Sequence, residues 1–332
     1  MKVLLYTEKE KLIGKSGLGK AIKHQMKALS DEKIDYTTNP KDDYDILHIN
    51  TYFPKSYFFA KKAKKEGKKI VYHAHSTEED YKDGFILAKQ TSKLFKKWIT
   101  KCCKLGDIIV TPTEYSKKLL EGYKGLEDKK ILDISNGVDL SFFKKDKKSG
   151  ELFRKKYGYK KDDKVIFGIG LYIERKGIVD FVDLAKSFPQ YKFIWFGYSP
   201  LSAATKNVRK AVNTKLDNLT FAGYVEPSVI NAAMNGGDLF IFTTKEETEG
   251  IPIIEALACK CPSIIRDIPV FDYLTDGKNV YKAKTIEDFK KKIKLFFDGK
   301  LKDVTENGYK IAKEKDIKLV GKKLKEVYNI LK

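Results

Sequence analysis

Residues 238–267 read DLFIFTTKEETEGIPIIEALACKCPSIIRD. DLFIFTT (238–244) is an apolar run of strand length. A polar loop with Glu247, Glu249 and Gly250 follows, then the helix-like IPIIEALAC, then a second short apolar run, PSIIRD (262–267). Strand, loop, helix and strand in such quick succession make a βαβ unit, whose strands lie parallel. The strands are almost continuously apolar rather than alternating, as expected where helices cover both faces of a sheet.

The same alternation recurs on either side. KVIFGIG (164–170), KFIWFG (192–197) and LTFAGY (219–224) precede this stretch; KVLLY (2–6), DILHIN (45–50), KKIVYHAH (68–75), DIIVTPT (107–113) and ILDISNG (131–137) lie in the first half. Lys-rich amphipathic segments, such as 55–66 and 86–104, separate them. Residues 142–164 are charged and poor in strand signals. This predicts an α/β protein of two doubly wound parallel-sheet domains, 1–150 and 151–307, with a helical segment at 308–332 that packs back on the first. Open α/β sheets bind ligands beyond the carboxyl ends of their strands. With two such sheets, the site is expected in a cleft between them.

Composition narrows the partners. The 332 residues carry 66 Lys and Arg against 45 Asp and Glu, a formal net charge of +21. Such charge attracts polyanions: nucleic acid, anionic lipid or phosphorylated substrates. Nucleic-acid binding is not expected, because Tyr6, Phe167, Phe193, Trp195 and Phe240 fall in core strands and no recognition motif appears. Cys102, Cys103, Cys259 and Cys261 lack zinc spacing and read as reduced thiols in a cytosolic protein. The chain opens directly into a strand pattern, and no apolar run approaches the ~18 residues of a membrane span. A soluble or surface-lying protein is expected.

Two loops draw attention. GKSGLGKA (14–21) fits a phosphate-binding P-loop at Gly14, Gly19 and Lys20, but Ala21 stands where a magnesium-binding hydroxyl is required; a glycine turn of another use fits equally. At Glu249 and Gly250 the chain turns into a helix, where backbone N–H groups and the helix dipole favour an anion without a metal ion. Acids in that loop are expected to face hydroxyls instead. A second reading fits as well: Glu247 and Glu249 as surface acids at a helix N-terminus, and Glu255 as an exposed helix residue.

Taken with its neighbours, the stretch resembles the family-4 retaining glycosyltransferases of the GT-B fold, whose signature is Glu, seven residues, Glu. SNGVD (135–139) resembles the family's Pro-Asn-Gly-Val-Asp turn, with Ser135 in place of Pro. GLYIERKG (170–177) resembles its Gly-Arg…Lys-Gly loop, with Leu171 where the Arg stands. FAGYV (221–225), GDLFIFTT (237–244) and LTDGKNVY (274–281) match in the right order. The resemblance implies that Arg175 and Lys176 clamp the nucleotide diphosphate, Arg175 supplying the missing guanidinium. It implies that Glu247 holds hydroxyls of the donor sugar and Glu255 the ribose. Backbone near Gly250 and Ile251 positions the sugar, and Tyr224 lies near the base. The glycine loop, through Gly17 and Gly19, faces the diphosphate. His75 reaches the transferred sugar, while His73 is expected to point the other way. No covalent catalyst, metal site or tightly bound cofactor is expected; magnesium and anionic lipid are candidate activators. In this family retention is usually explained by front-face attack, the departing phosphate oxygen taking the acceptor's proton.

Within the family, SGLGKAIKHQ (16–25), YHAHSTEEDY (72–81) and RDIPVFD (266–272) resemble bacterial glycosyl-glucosyldiacylglycerol synthases. That implies glucose transfer from UDP-glucose to monoglucosyldiacylglycerol, an α(1→2) linkage, and a peripheral position on the cytoplasmic side of the membrane. UDP-galactose as donor, or a soluble saccharide acceptor, are the alternatives. In 86–106, Leu87, Leu94, Phe95, Trp98, Ile99 and Cys102 share a helical face beside Lys89, Lys93, Lys96, Lys97 and Lys101. This predicts an interfacial helix for an anionic membrane surface, with Leu94, Phe95 and Trp98 as its apolar wedge; packing of that stripe on the first sheet is the competing reading.

Overall fold

The computed structural model describes residues 1–14, 16–82, 84 and 86–332; Lys15, within the 14–21 loop, lies outside them. The described chain forms two parallel six-stranded sheets. The first comprises β1 (Lys2–Tyr6), β2 (Asp35–Thr37), β3 (Ile46–Ile49), β4 (Lys69–His73), β5 (Ile108–Thr111) and β6 (Lys130–Asp133), in the order β2-β1-β3-β4-β5-β6. The second comprises β7 (Val165–Ile169), β8 (Lys192–Phe196), β9 (Leu219–Gly223), β10 (Leu239–Phe242), β11 (Ser263–Arg266) and β12 (Tyr281–Ala283), in the order β12-β11-β10-β7-β8-β9. The central strands β3, β5 and β10 are buried along their whole length, as their apolar sequences require. In each sheet the strand order reverses beside the first strand, between β1 and β3 and between β7 and β10. Those reversals are where ligands of doubly wound sheets bind.

Two strands escape the sequence reading. β2 (DYT) and β12 (YKA) are three residues long and half polar, and both lie at sheet edges. An edge strand needs only one apolar contact face and can be very short, so it leaves no hydrophobic run to read.

Two compact units share the chain. One contains residues 1–82, 89–137 and 315–332; the other 83–88 and 138–314. The join therefore falls at Gly137/Val138, within the SNGVD turn, rather than at 150. The charged segment after it belongs to the second unit because it folds there as a helix, Lys147–Tyr157. Asp146 caps that helix, Phe153 is buried, and Arg154 bonds the Gly236 carbonyl at 2.9 Å and the Asp238 carboxylate at 2.7 Å. Gly150 lies against the backbone of Asn235 and Gly236, leaving no room for a Cβ. In the first unit, the last helix, Ile317–Ile330, buries Val320, Leu324, Val327 and Tyr328 in one cluster with Val3, Leu5, Ala28 and Leu29. Of the C-terminal stretch only 315–332 lies there; helix Thr305–Glu314 belongs to the second unit.

Candidate active site

In the second unit, residues 238–267 lie at the β7/β10 switch point. β7 runs through Gly170 into a short turn, Glu174–Lys176, and then helix Ile178–Ser187. Gly177 joins turn to helix at φ 72°, and a Cβ there would run into the Thr243 carbonyl at the end of β10. This close approach ties the two loops together. Lys245 N–H donates to the Arg175 carbonyl at 2.7 Å, and Thr243 Oγ1 to the Gly177 carbonyl at 2.9 Å. Only glycine meets both the conformation and the space.

The tie brings three charges together. Lys176 Nζ donates to Glu247 Oε1 at 2.5 Å, and Arg175 Nη1 lies 3.7 Å from Glu247 Oε2 while donating to the Glu246 carbonyl at 2.7 Å. Thr244 Oγ1 also donates to Glu247 Oε1, at 2.9 Å. Arg175 and Glu247 are buried. Burial alone pushes the Glu247 carboxyl up. The Lys176 and Arg175 charges and the bonds from Lys176 and Thr244 outweigh it, so the group is held below its ordinary value, as a carboxylate.

The rest of the loop is also drawn inward. Glu249 is buried, and Gly250 enters helix Ile251–Ala258 at φ 81° with its α-carbon facing the rings of Phe242 and Phe271. Glu255 lies fully buried on that helix, which excludes the reading of it as a surface acid. Tyr224 follows the end of β9 and is exposed. The structure thus joins Arg175, Lys176 and Glu247 in one cluster, where the sequence reading gave cations and acid separate partners.

The first unit holds a second constellation. β3 and β4 are neighbours, pairing His48 with Val71 and Ile49 with Tyr72. His73 and His75 stack ring on ring, 4.1 Å apart and 3° from parallel, and His48 stacks on His73 at 5.2 Å. The expectation that His73 turns away from His75 is therefore wrong. Side chains two apart along an extended chain share a face. Three of the four histidines form one column. The Tyr328 hydroxyl lies 2.5 Å from His48 Nδ1, and His48 Nε2 lies 3.0 Å from His73 Nδ1. Gln25 Nε2 reaches both His73 Nδ1 and Asn50 Oδ1, each at 2.9 Å, and His75 Nε2 reaches the same Asn50 oxygen at 2.9 Å. Burial drives the imidazoles toward the neutral form. His48 is pushed down to about 3, by burial and then by His75; His75 is pushed to about 3 by burial; His73 lies well below its ordinary value for the same reason. Sequence reasoning singled out His75 but not Asn50, Gln25, His48 or Tyr328. DILHIN (45–50) carried the nearby signal, His48 and Asn50 interrupting an apolar run.

The glycine loop leads into helix Gly17–Asp31, whose N-cap Ser16 accepts a long bond from Gly19 N–H at 3.4 Å. Gly19 lies against the backbone of Ile13 and Gly14, where a Cβ would clash; at Gly17 a Cβ would meet nothing within 4 Å among the described residues. Close approach is required at Gly19 and not at Gly17.

Helix Ala88–Cys103 corrects the expected apolar wedge. Ile99 and Cys102 are in the core. Trp98 is half-buried against Tyr57, and its indole N–H donates to the Tyr52 carbonyl at 2.6 Å. Phe95 stacks on Tyr81 at 4.1 Å. Lys96 pairs with Glu78 at 3.3 Å and lies over the Tyr123 ring, and Lys101 lies over Tyr57. Leu94 alone of the three wedge residues points outward, 70% exposed, with Lys89, Lys93 and Lys97 also exposed. The stripe assigned to lipid is thus mostly the stripe that packs on the sheet. Among the described residues no helix is long and apolar enough to cross a membrane.

Comparison with known proteins identifies the family. The family described as Glycosyl transferases group 1 matches residues 149–311, and Glycosyltransferase Family 4 matches residues 28–142. The chain belongs to the family-4 glycosyltransferases, with the GT-B fold. It is 38% identical to the processive diacylglycerol alpha-glucosyltransferase of Acholeplasma laidlawii, over 99% of this chain and 98% of that one. It is 22% identical to the alpha-galactosylglucosyldiacylglycerol synthase of Streptococcus pneumoniae, over 95% of this chain and 85% of that one. Among solved structures, Anabaena HepE in complex with UDP and glucose shares the fold at a TM-score of 0.79 and 16% identity, covering 99% of both chains.

Proposed function

We propose that this glycosyltransferase moves glucose from UDP-glucose onto a diacylglycerol-type lipid. Monoglucosyldiacylglycerol is the acceptor, and α(1→2)-linked diglucosyldiacylglycerol the product. The observation that carries the reading is the full-length likeness to a diacylglycerol glucosyltransferase, at 38% identity. Lys176 and Arg175, gathered on one buried carboxylate, supply positive charge where a diphosphate leaves. Glu247, held ionised by them, accepts hydrogen bonds from hydroxyls of the sugar. Glu255 serves the ribose, Tyr224 the base, and the backbone at Gly250 and Ile251 the sugar's orientation. In the first unit the glycine loop meets the diphosphate and His75 meets the transferred sugar.

Front-face attack explains retention. The anomeric carbon's bond to the phosphate oxygen breaks, its bond to the acceptor oxygen forms on the same face, and the acceptor's proton passes to the departing phosphate. The lipid acceptor places the protein at the cytoplasmic membrane surface, attracted by its +21 net charge to anionic lipid. Leu94 and the exposed lysines around it are the contact.

The test is product analysis. The protein is incubated with radiolabelled UDP-glucose or UDP-galactose and micelles of diacylglycerol or monoglucosyldiacylglycerol, with and without magnesium and anionic lipid. Labelled diglucosyldiacylglycerol with an α(1→2) bond is expected from UDP-glucose. Galactosyl product alone would change the donor. Transfer only to a soluble saccharide would overturn the lipid reading.

A further inference from the structure

The histidine column is a costly thing to build into a core. Three of its buried polar atoms, Gln25 Oε1, Asn50 Nδ2 and His73 Nε2, have no hydrogen-bond partner among the described residues. Leaving such a group unsatisfied costs about 1–3 kcal/mol, and an apolar core of the same shape would avoid that cost. Networks of this kind are kept where they hold something in place.

The hydrogen-bond pattern shows what is held. Asn50 Oδ1 can only accept, and it receives Gln25 Nε2 and His75 Nε2. His75 therefore carries its proton on Nε2 and has Nδ1 as its acceptor nitrogen. The same logic runs back through the column. Gln25 Nε2 can only donate, so His73 Nδ1 accepts; His48 Nε2 beside it then carries the proton, and His48 Nδ1 accepts from the Tyr328 hydroxyl. Gln25, with one amide hydrogen toward His73 and the other toward Asn50, couples the two branches. His73 and His75 are also locked by ring stacking, and both line one small cavity together with Asn50, Thr51 and Ser76. Which ring nitrogen holds the proton is set by what the other partner accepts or donates. Here every partner points to a single tautomer.

We infer that Asn50 is the positioning residue for His75: its amide oxygen, held by Gln25 and backed by the His73–His48–Tyr328 column, fixes the His75 ring in the Nε2-protonated tautomer presented to the transferred sugar. The inference rests on the reading of His75 given above. Asn50 itself does not touch the reacting atoms. It acts by removing the freedom of a ring that must meet the sugar in one orientation.

The test has one arm that needs no variant. Nitrogen-15 NMR of the histidine side chains in the wild-type protein, assigned with His75→Ala, separates a protonated ring nitrogen from a bare one. Nε2-protonated His75 is expected; a proton on Nδ1, or fast exchange between the two forms, overturns the inference. In the second arm, Asn50→Ala is expected to release the ring to a mixture of tautomers. It should lower kcat roughly ten- to a hundredfold, the scale of misplacing a reacting partner by an ångström. The KM for UDP-glucose should stay within about twofold. An unchanged kcat in Asn50→Ala, beside an inactive His75→Ala, overturns the positioning role and leaves the role of His75 standing. A fully active His75→Ala sinks the reading of His75 instead, and the wild-type ring signals still report whether Asn50 holds the tautomer.

Discussion

The two units build their polar centres from opposite materials. At the β7/β10 switch point the second unit gathers full charges, two cations on one buried carboxylate, within two short loops pinned by Gly177. At the β3/β4 pair the first unit gathers neutral rings and amides, joined from four separate stretches of chain and kept uncharged by burial. The difference matches what each is proposed to meet. A nucleotide diphosphate brings charge and must be met by charge, and a buried pair can give that up only if its partner is replaced. A sugar ring brings hydroxyls, for which a neutral imidazole of fixed tautomer is both donor and acceptor.

The largest effects should come from breaking the charged side. Lys176→Ala and Glu247→Ala are each expected to lower glucosyl transfer at least a hundredfold. Near-normal transfer by both would remove the cluster from the reaction. Because the pair is buried, each single variant should also lose stability, by about 3 kcal/mol or more, visible in urea unfolding. The joint variant Lys176→Met/Glu247→Gln should recover most of that stability and none of the activity.

Gly177→Ala tests how the charges are brought together. With φ at 72° and the Thr243 carbonyl in the way, a methyl must push the two loops apart. A stability loss of about 1–3 kcal/mol is expected, with a fall in transfer of tenfold or more. Gly158→Ala, also at positive φ but with open space around it, should lose stability alone.

The neutral side should reveal itself in pH. His48 and His73 stay uncharged in the folded chain and take up protons once unfolded, below the ordinary value of about 6.5. The unfolded state then binds more protons, so stability falls as pH drops. The loss begins near pH 6.5 and continues to about 3, where His48 itself titrates in the folded chain. By pH 5 each ring contributes about 2 kcal/mol of loss. His48→Gln should flatten the slope of unfolding free energy against pH between 5 and 6.5; an unchanged slope would mean the ring is charged when folded.

The smallest effect belongs to the outer surface. Leu94→Asp is expected to weaken binding to anionic vesicles a few-fold without changing hydrolysis of UDP-glucose. Trp98→Ala should instead lower the melting temperature, since its ring and N–H are engaged within the unit. Equal vesicle binding by Leu94→Asp and the wild type would remove helix Ala88–Cys103 from the membrane contact.

The sequence showed most of the sheet strands, because central parallel strands are apolar along their length. It hid β2 and β12, which are short edges, and it misplaced the join. A charged helix such as Lys147–Tyr157 reads as a linker until Phe153 and Arg154 are seen to find their partners. The charged cluster was legible as two motifs but not as one object. That Lys176 reaches Glu247 depends on β7 and β10 being neighbours, which strand order in the chain does not give. The histidine column was nearly invisible. Its members come from residues 25, 48, 50, 73, 75 and 328, and only the contacts of two strands and two helices assemble them. Amphipathic patterning misled at Trp98, since an apolar stripe with flanking lysines describes a core-facing helix as well as a lipid-facing one.

The charged centre is the part on which the account turns, and calorimetric titration of UDP and UDP-glucose into Lys176→Ala and Glu247→Ala tests it most directly. Lys176→Ala should lose tenfold or more in affinity for both ligands, because the diphosphate loses its cation. Glu247→Ala should keep its affinity for UDP and lose whatever the glucose adds. Wild-type affinities for both ligands in both variants would contradict the assignment of this cluster to the donor.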